Sequence, residues 1–253
     1  MENPEIIFVK EDNPKMLEAF KRAQETFKYF WRELSWEYRR VIPALDVAYV
    51  KVAFAQQQHE GESPTVEHMW VNNINFDGEQ LYGVLVNEPQ QLTNVQLNDE
   101  VAVPLNQVSD WLFALMGKTH GGFTIQVMRS NMDAAARQAH DEAWGLDFGD
   151  ADDILLVHDQ KDHPENLEEH PMSINMKEKW EEFVQENHDG ITNKDEEGYN
   201  LLHREVIAGN RTMVETLLQT GLFDLEAKTN QGKTALDFAQ KFNWEHIIPL
   251  LSN

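Results

Sequence analysis

Gly198-Tyr199-Asn200-Leu201-Leu202-His203 and Gly232-Lys233-Thr234-Ala235-Leu236-Asp237 lie 34 residues apart, and their near superposition decides how the C-terminal part of this chain folds. The offset persists beyond that match. Gly209 falls on Asn243, two residue types that tolerate a left-handed backbone, and Val214 and Leu217 fall on Ile248 and Leu251. In each unit Asn200 or Thr234 is placed to cap a short helix through its side-chain oxygen, with Leu202 and Leu236 pointing into the stack. A second helix is expected over Arg211 to Thr220, where Met213, Val214, Leu217 and Leu218 recur at helical spacing before Gly221; its counterpart starts at Trp244.

The period, and the position of Asn200-Leu201-Leu202-His203 and Thr234-Ala235-Leu236-Asp237, resemble the ankyrin repeat and its Thr-Pro-Leu-His signature. There are departures. Leu201 and Ala235 replace the proline that pre-sets the first helical residue, and Asp237 replaces the histidine that ties adjacent repeats together. Pro249 sits in the last turn of the second unit, where it removes a backbone donor. Stacked repeats bury their apolar faces only against neighbours, and about three are normally needed. Something upstream must therefore cover Leu201, Leu202 and Val206. The nearest candidate is a helix capped by Ser173, carrying Trp180, Phe183 and Val184 and ending before Gly190, which would supply the third layer.

Across 253 residues, 44 acidic side chains oppose 21 basic ones, for a formal charge of −23. That field disfavours nucleic-acid phosphates and anionic lipid and favours a basic protein partner. With no cysteine, disulfides, thiolate metal sites and thiol nucleophiles are excluded, and a reducing compartment fits. Met1-Glu2-Asn3-Pro4-Glu5 has neither the basic start nor the apolar core of a secretory signal, and no apolar run reaches membrane-spanning length. The expectation is a bacterial-type cytoplasmic protein without membrane contact.

Towards the N-terminus, Ile6 to Val9 reads as a short strand, and Asn13-Pro14 opens a helix whose stripe is Met16, Phe20, Ala23, Phe27, Trp31 and Leu34. From Val47 to Phe54 the period changes to two, giving a strand with one buried face. Val66 to Phe76 and Leu81 to Val86 flank Asp77-Gly78, a strong hairpin signal. Val101-Ala102-Val103 reads as another strand, and Trp111 to Met116 with Phe123 to Met128 as a further hairpin around Gly117 to Gly122. These elements predict an α+β fold: an antiparallel β-sheet domain with a long N-terminal helix, followed by an all-α domain of about two ankyrin repeats plus a capping helix. The expected division is residues 1–145, an acidic connector over 146–175, and the capping helix and repeats over 176–253. Within the connector, Ile154 to Val157 is expected as an anchoring strand.

Four separated landmarks in the first domain carry a second resemblance: Glu67-His68-Met69-Trp70-Val71, Gly83-Val84-Leu85-Val86-Asn87-Glu88-Pro89, Val108-Ser109-Asp110-Trp111 and Gly121-Gly122-Phe123-Thr124-Ile125-Gln126-Val127. In order and spacing they resemble a bacterial YegJ-like family, domain of unknown function 2314. The resemblance covers about residues 14 to 130 and implies a fold but no activity. The same family sometimes carries C-terminal ankyrin units, joined through segments resembling Ala143 to Asp150 and His170 to Met176.

No nucleotide-binding Gly-rich loop, Gly-x-Ser-x-Gly elbow or His-Glu-x-x-His helix is present. The candidate polar cluster of the first domain is His68, Trp70, Asn87, Glu88, Asp110, Trp111 and His120, where a histidine near two carboxylates would act as a general base or metal ligand. The structural alternative makes Asn87-Glu88-Pro89 a turn, Asp110 a cap and the tryptophans core. His158, His163 and His170 match no closed zinc motif, so no metal and no cofactor is expected. Two readings follow. In the preferred one the chain is a non-enzymatic interaction protein, displaying Glu196, Tyr199, Arg204, Asp224, Lys228 and Asn230 to another protein, a basic one, as an immunity-type binder or adaptor. In the other it is an uncharacterised enzyme or a small-ligand or metal-binding protein, with a pocket on the β domain lined by His68, Glu88, Asp110 and His120.

Overall fold

The apolar stripe near the N-terminus forms one continuous helix, α1 (Pro14–Glu37), with Ala23, Phe27 and Phe30 fully buried. The structure is a computed structural model that describes residues 13–58, 61 and 63–252. The strand expected at Ile6 to Val9 lies outside the described residues.

The period-two segments form a six-stranded sheet. Its strands are β1 (Leu45–Gln56), β2 (Thr65–Phe76), β3 (Gln80–Leu85), β4 (Glu100–Pro104), β5 (Val108–Leu115) and β6 (Lys118–Gly121), in the order β4-β3-β2-β1-β5-β6. Every neighbouring pair is antiparallel. The β2–β3 hairpin turns at Asp77-Gly78, where Gly78 takes φ +100° and the Asp77 carboxylate accepts from the amides of Glu79 and Gln80, both at 2.7 Å.

Two expectations fail here. Phe123 to Met128 is helical, part of α2 (Phe123–Arg129), rather than the second strand of a hairpin. Gly121 and Gly122 both take φ +74°, which ends β6, and Asp110 on β5 then accepts from the first helical amides, Phe123 at 2.9 Å and Thr124 at 2.8 Å. A strand-like run of apolar residues is thereby turned into a helix by a carboxylate from a neighbouring strand. Ile154 to Val157 forms no strand, although the Gly121 amide donates to the Leu155 carbonyl at 2.8 Å. Between these lies α3 (Ala134–Trp144), capped by the Asp133 side chain.

The C-terminal helices are α4 (Pro171–Asn175), α5 (Lys177–Glu186), α6 (Leu201–Ala208), α7 (Arg211–Gln219), α8 (Ala235–Lys241) and α9 (Ile248–Leu251). The 34-residue offset reappears in the bonds. Asn200 caps α6 and Thr234 caps α8, each accepting at 3.1 Å from the amide three residues on. The Asp195 amide donates to the Tyr199 carbonyl at 2.8 Å, and the Thr229 amide to the Lys233 carbonyl at 2.9 Å. Gly209 and Asn243, aligned by sequence, both adopt positive φ, +73° and +48°. His203 bonds to the carbonyl of Ala227 in the next unit at 3.1 Å, the tie that Asp237 cannot make. The last helix is shorter than expected, and Pro249 lies in the first turn of α9, where the missing amide costs little.

The chain divides into two compact units, Met1–Phe30 with Arg40–His158, and Trp31–Arg39 with Asp159–Asn253. In the second unit α5 packs on α7, with the Trp180 indole donating to the Met213 carbonyl at 3.3 Å. Ser173 does not cap this helix. It is buried inside α4, bonded to Glu169 at 2.5 Å, and His170 caps α4 instead through the Met172 amide. Helix α5 is not the whole cover, because the last turns of α1 also belong here. Arg32 donates to the carbonyls of Asn166, Leu167 and Glu168, Glu33 pairs with His170 at 2.9 Å, the Trp36 indole donates to Asn210 at 2.9 Å, and Arg39 meets the fully buried Glu205 at 2.7 Å. Nothing in the periodicity of α1 separates these residues from the rest of the helix.

Candidate functional site

The four family-like landmarks sit at places where the sheet needs particular residues. Glu67, 2% exposed, accepts from three successive amides, those of Gln90, Gln91 and Leu92. Asn87 accepts from the Trp70 amide at 2.6 Å. Together they fix the loop after β3, so Asn87-Glu88-Pro89 is a pinned turn with Glu88 exposed. Gly83 and Gly121 are sites of close backbone approach. A Cβ on Gly83 would lie 2.7 Å from the Asn72 carbonyl, and one on Gly121 would lie 2.3 Å from the Trp111 carbonyl. Trp111, fully buried, donates from its indole to the Ala23 carbonyl of α1 at 3.0 Å.

One polar set stands out from this scaffold. Lys51 on β1 lies directly across from Trp70 on β2 and from Asp110 on β5. Its ammonium donates to Thr124 at 3.0 Å and lies 4.5 Å from the Trp70 ring centroid; Thr124 in turn donates to Asp110 at 2.5 Å. Burial lowers the Lys51 pKa against the opposing pull of Asp110. Burial likewise raises that of Asp110, opposed by the Lys51 charge and by the bonds from Thr124 and Trp111. The set thus neutralises a buried carboxylate that holds the start of α2. Lys51 escaped the sequence reading because a single lysine in an alternating strand looks like its solvated face.

The structure therefore brings Trp70, Asn87 and Asp110 into one region, with the Trp111 amide on Asp110 and the Lys51 charge near His68, while Glu88 is exposed. His68 stacks on Phe20 of α1 at 4.9 Å, and His120 stacks on Phe113 at 4.5 Å with His158 at 6.4 Å. Two surface hollows, of about 770 and 560 Å³, are lined by neither His68, Glu88, Asp110 nor His120. His163 pairs with Glu165 and His170 with Glu33, and among the described residues no group of three or more His, Asp or Glu is arranged to hold a metal ion.

His68 has its pKa pushed down to about 4 by burial, with the nearby Lys51 charge adding to the effect. Burial also lowers those of His203 and His246 in the other unit. The folded state thus resists protons that the unfolded chain accepts below about pH 6.5, so unfolding free energy falls as pH drops from about 6.5 towards 4. The His68 part of that slope is at most about 1.4 kcal/mol per pH unit, and His68→Gln removes it. Urea unfolding at stepped pH checks this; a slope unchanged in the variant contradicts it.

On the repeats, the six proposed contact residues divide by burial. Tyr199 is a correction to the display reading: it is 2% exposed and packs on Phe238 at 5.8 Å and His203 at 6.0 Å, because its position carries the ring that fills the stack. Arg204 is half-buried, over the Tyr199 ring and paired with Asp195. Glu196, Asp224, Lys228 and Asn230 are exposed, and side-chain bonds to backbone carbonyls set the loops that carry three of them, Glu196, Lys228 and Asn230. The Asn230 side chain donates to the Glu196 carbonyl at 2.8 Å, and Lys194 donates to the Lys228 carbonyl at 2.9 Å, so consecutive loop tips are tied side by side.

Comparison with known proteins adds three findings. Residues 13–148 match a family described as an uncharacterized protein conserved in bacteria, DUF2314. A protein of Neisseria meningitidis serogroup B (strain ATCC BAA-335 / MC58), named as an ankyrin repeat protein, is 49% identical over 246 residues, 97% of this chain and 96% of that relative. The uncharacterized protein YegJ of Escherichia coli (strain K12) is 32% identical over 59 residues, 23% of this chain and 39% of YegJ. No solved structure is a significant match to the chain.

Proposed function

The chain belongs to the DUF2314 family, and from that premise we propose that it is a non-enzymatic protein-binding protein that recognises a basic partner with its repeat loops and acidic surface. The observation that carries this reading is the pair of tied loop tips, which expose Glu196, Lys228 and Asn230 on a braced frame. A surface set in advance by such side-chain-to-carbonyl bonds loses little conformational freedom on binding. The name of the 49%-identical relative agrees with this.

A charge of −23 supports a basic partner, since complementary fields speed encounter and discriminate against acidic competitors. An immunity-type binder or an adaptor, working in the cytoplasm, is the biological setting this chemistry fits. Among the described residues no helix is long and apolar enough to cross a membrane. On the sheet unit, the roles of Glu67, Asn87, Asp110 and Trp111 in holding loops and α2 support a scaffold in preference to a reaction centre.

Affinity capture from native lysate with the full chain, at about 0.05 M and about 0.5 M salt, tests the proposal. The expected result is a protein of high isoelectric point, retained at low salt and depleted at high salt. Recovery of no partner, or of acidic proteins alone, contradicts it.

A further inference from the structure

Helix α6 packs on α7 and on α8, whereas α5, the preceding helix, packs on α7. A hollow of about 560 Å³ lies between the end of α5 and the start of α6. Phe183, Ile191 and Leu201 are its apolar residues; Phe183 is 41% exposed, its ring stacked on Trp180 at 5.2 Å. Helix α5 is largely exposed, with Val184 its one buried residue, and Phe183 is the open aromatic ring it offers at the hollow.

The edge of the hollow is acidic. Glu186 and Asp189 are its carboxylate-bearing residues, and no lysine or arginine lines it. Its wall is a series of tight turns, with the Asn187 side chain donating to the Phe183 carbonyl at 2.8 Å, the Gly190 amide to the Asn187 carbonyl at 2.9 Å and the Asn193 amide to the Gly190 carbonyl at 3.0 Å. The shape is thus set before anything binds.

We propose that this hollow docks a short basic segment of a partner protein, which seats an apolar side chain against Phe183 and Leu201 and places lysine or arginine over Glu186 and Asp189. The inference rests on the binding reading above and locates part of that recognition away from the loop tips. The two carboxylates select the charge of the segment, and the aromatic anchor supplies the apolar contact.

The test titrates the isotopically labelled full chain with three short synthetic peptides, one alternating lysine and leucine, one alternating glutamate and leucine, and one alternating lysine and glutamine. The expected result is saturable amide shifts at Phe183, Ile191 and Leu201 with the lysine-leucine peptide, weaker shifts with lysine-glutamine and none with glutamate-leucine. Glu186→Gln with Asp189→Asn, both exposed and outside the core, is expected to weaken binding roughly tenfold. Shifts absent from the hollow, or unchanged in the double variant, overturn the inference. Shifts gathered instead at Glu196, Lys228 and Asn230 overturn it while leaving the binding reading standing. A chain that captures no partner in the salt-graded experiment overturns the binding reading itself.

Discussion

Asp110→Ala is expected to destabilise the sheet unit by about 3–5 kcal/mol, the range for removing one member of a buried charged pair. Asp110 is fully buried and accepts from the amides of Phe123 and Thr124 and from the Thr124 hydroxyl. Without it, two helix-start amides lose their acceptor and Lys51 keeps a charge in a half-buried site. Replacing both members, Lys51→Met with Asp110→Leu, is expected to recover much of the loss, because the apolar pair leaves no uncompensated charge. Urea unfolding followed by tryptophan fluorescence measures both. A single variant as stable as the parent chain contradicts the scaffold role given to Asp110.

The repeat unit has its own large effect at Gly209, where φ is +73° and an added Cβ would lie 2.4 Å from two ring atoms of Trp244. A left-handed backbone costs a non-glycine residue about 1–2 kcal/mol and overpacking a further 1–3, so Gly209→Ala is expected to cost about 2–5 kcal/mol. Gly221→Ala separates the two contributions. Gly221 has φ +68° but open space around it, so this variant pays the backbone part alone, about 1–2 kcal/mol. Hydrogen exchange across α6 to α8 compares them. Equal losses of protection would mean that the approach to Trp244 does not matter.

How far the fold was legible depends on whether local pattern and tertiary contact agree. The Asp77-Gly78 hairpin, the α1 stripe and the 34-residue repeat were readable because residue type, spacing and backbone preference point the same way, down to the matched positive φ of Gly209 and Asn243. Phe123 to Met128 was misread because Asp110, thirteen residues earlier, decides its start, and no local signal reports that. The same holds for Trp31–Arg39, whose apolar spacing continues that of α1 although Arg32, Glu33, Trp36 and Arg39 bond to residues 166–210. In the candidate site, Asn87 as a turn residue and Asp110 as a cap follow the structural alternative, while Tyr199 was mistaken for a displayed ring because loop position says nothing about burial. Lys51 and the Phe183 hollow became visible only with cross-strand register and helix packing in hand.

Site-specific photo-crosslinking of the full chain in lysate tests the central claim most directly. A crosslinking residue would be placed singly at Glu196, at Lys228, and, on the sheet unit, at the exposed turn residue Met116. Recognition by the repeats predicts one shared basic adduct at positions 196 and 228 and none at 116. An adduct formed at 116 alone, or at no position under conditions where the chain captures its partner, would contradict it.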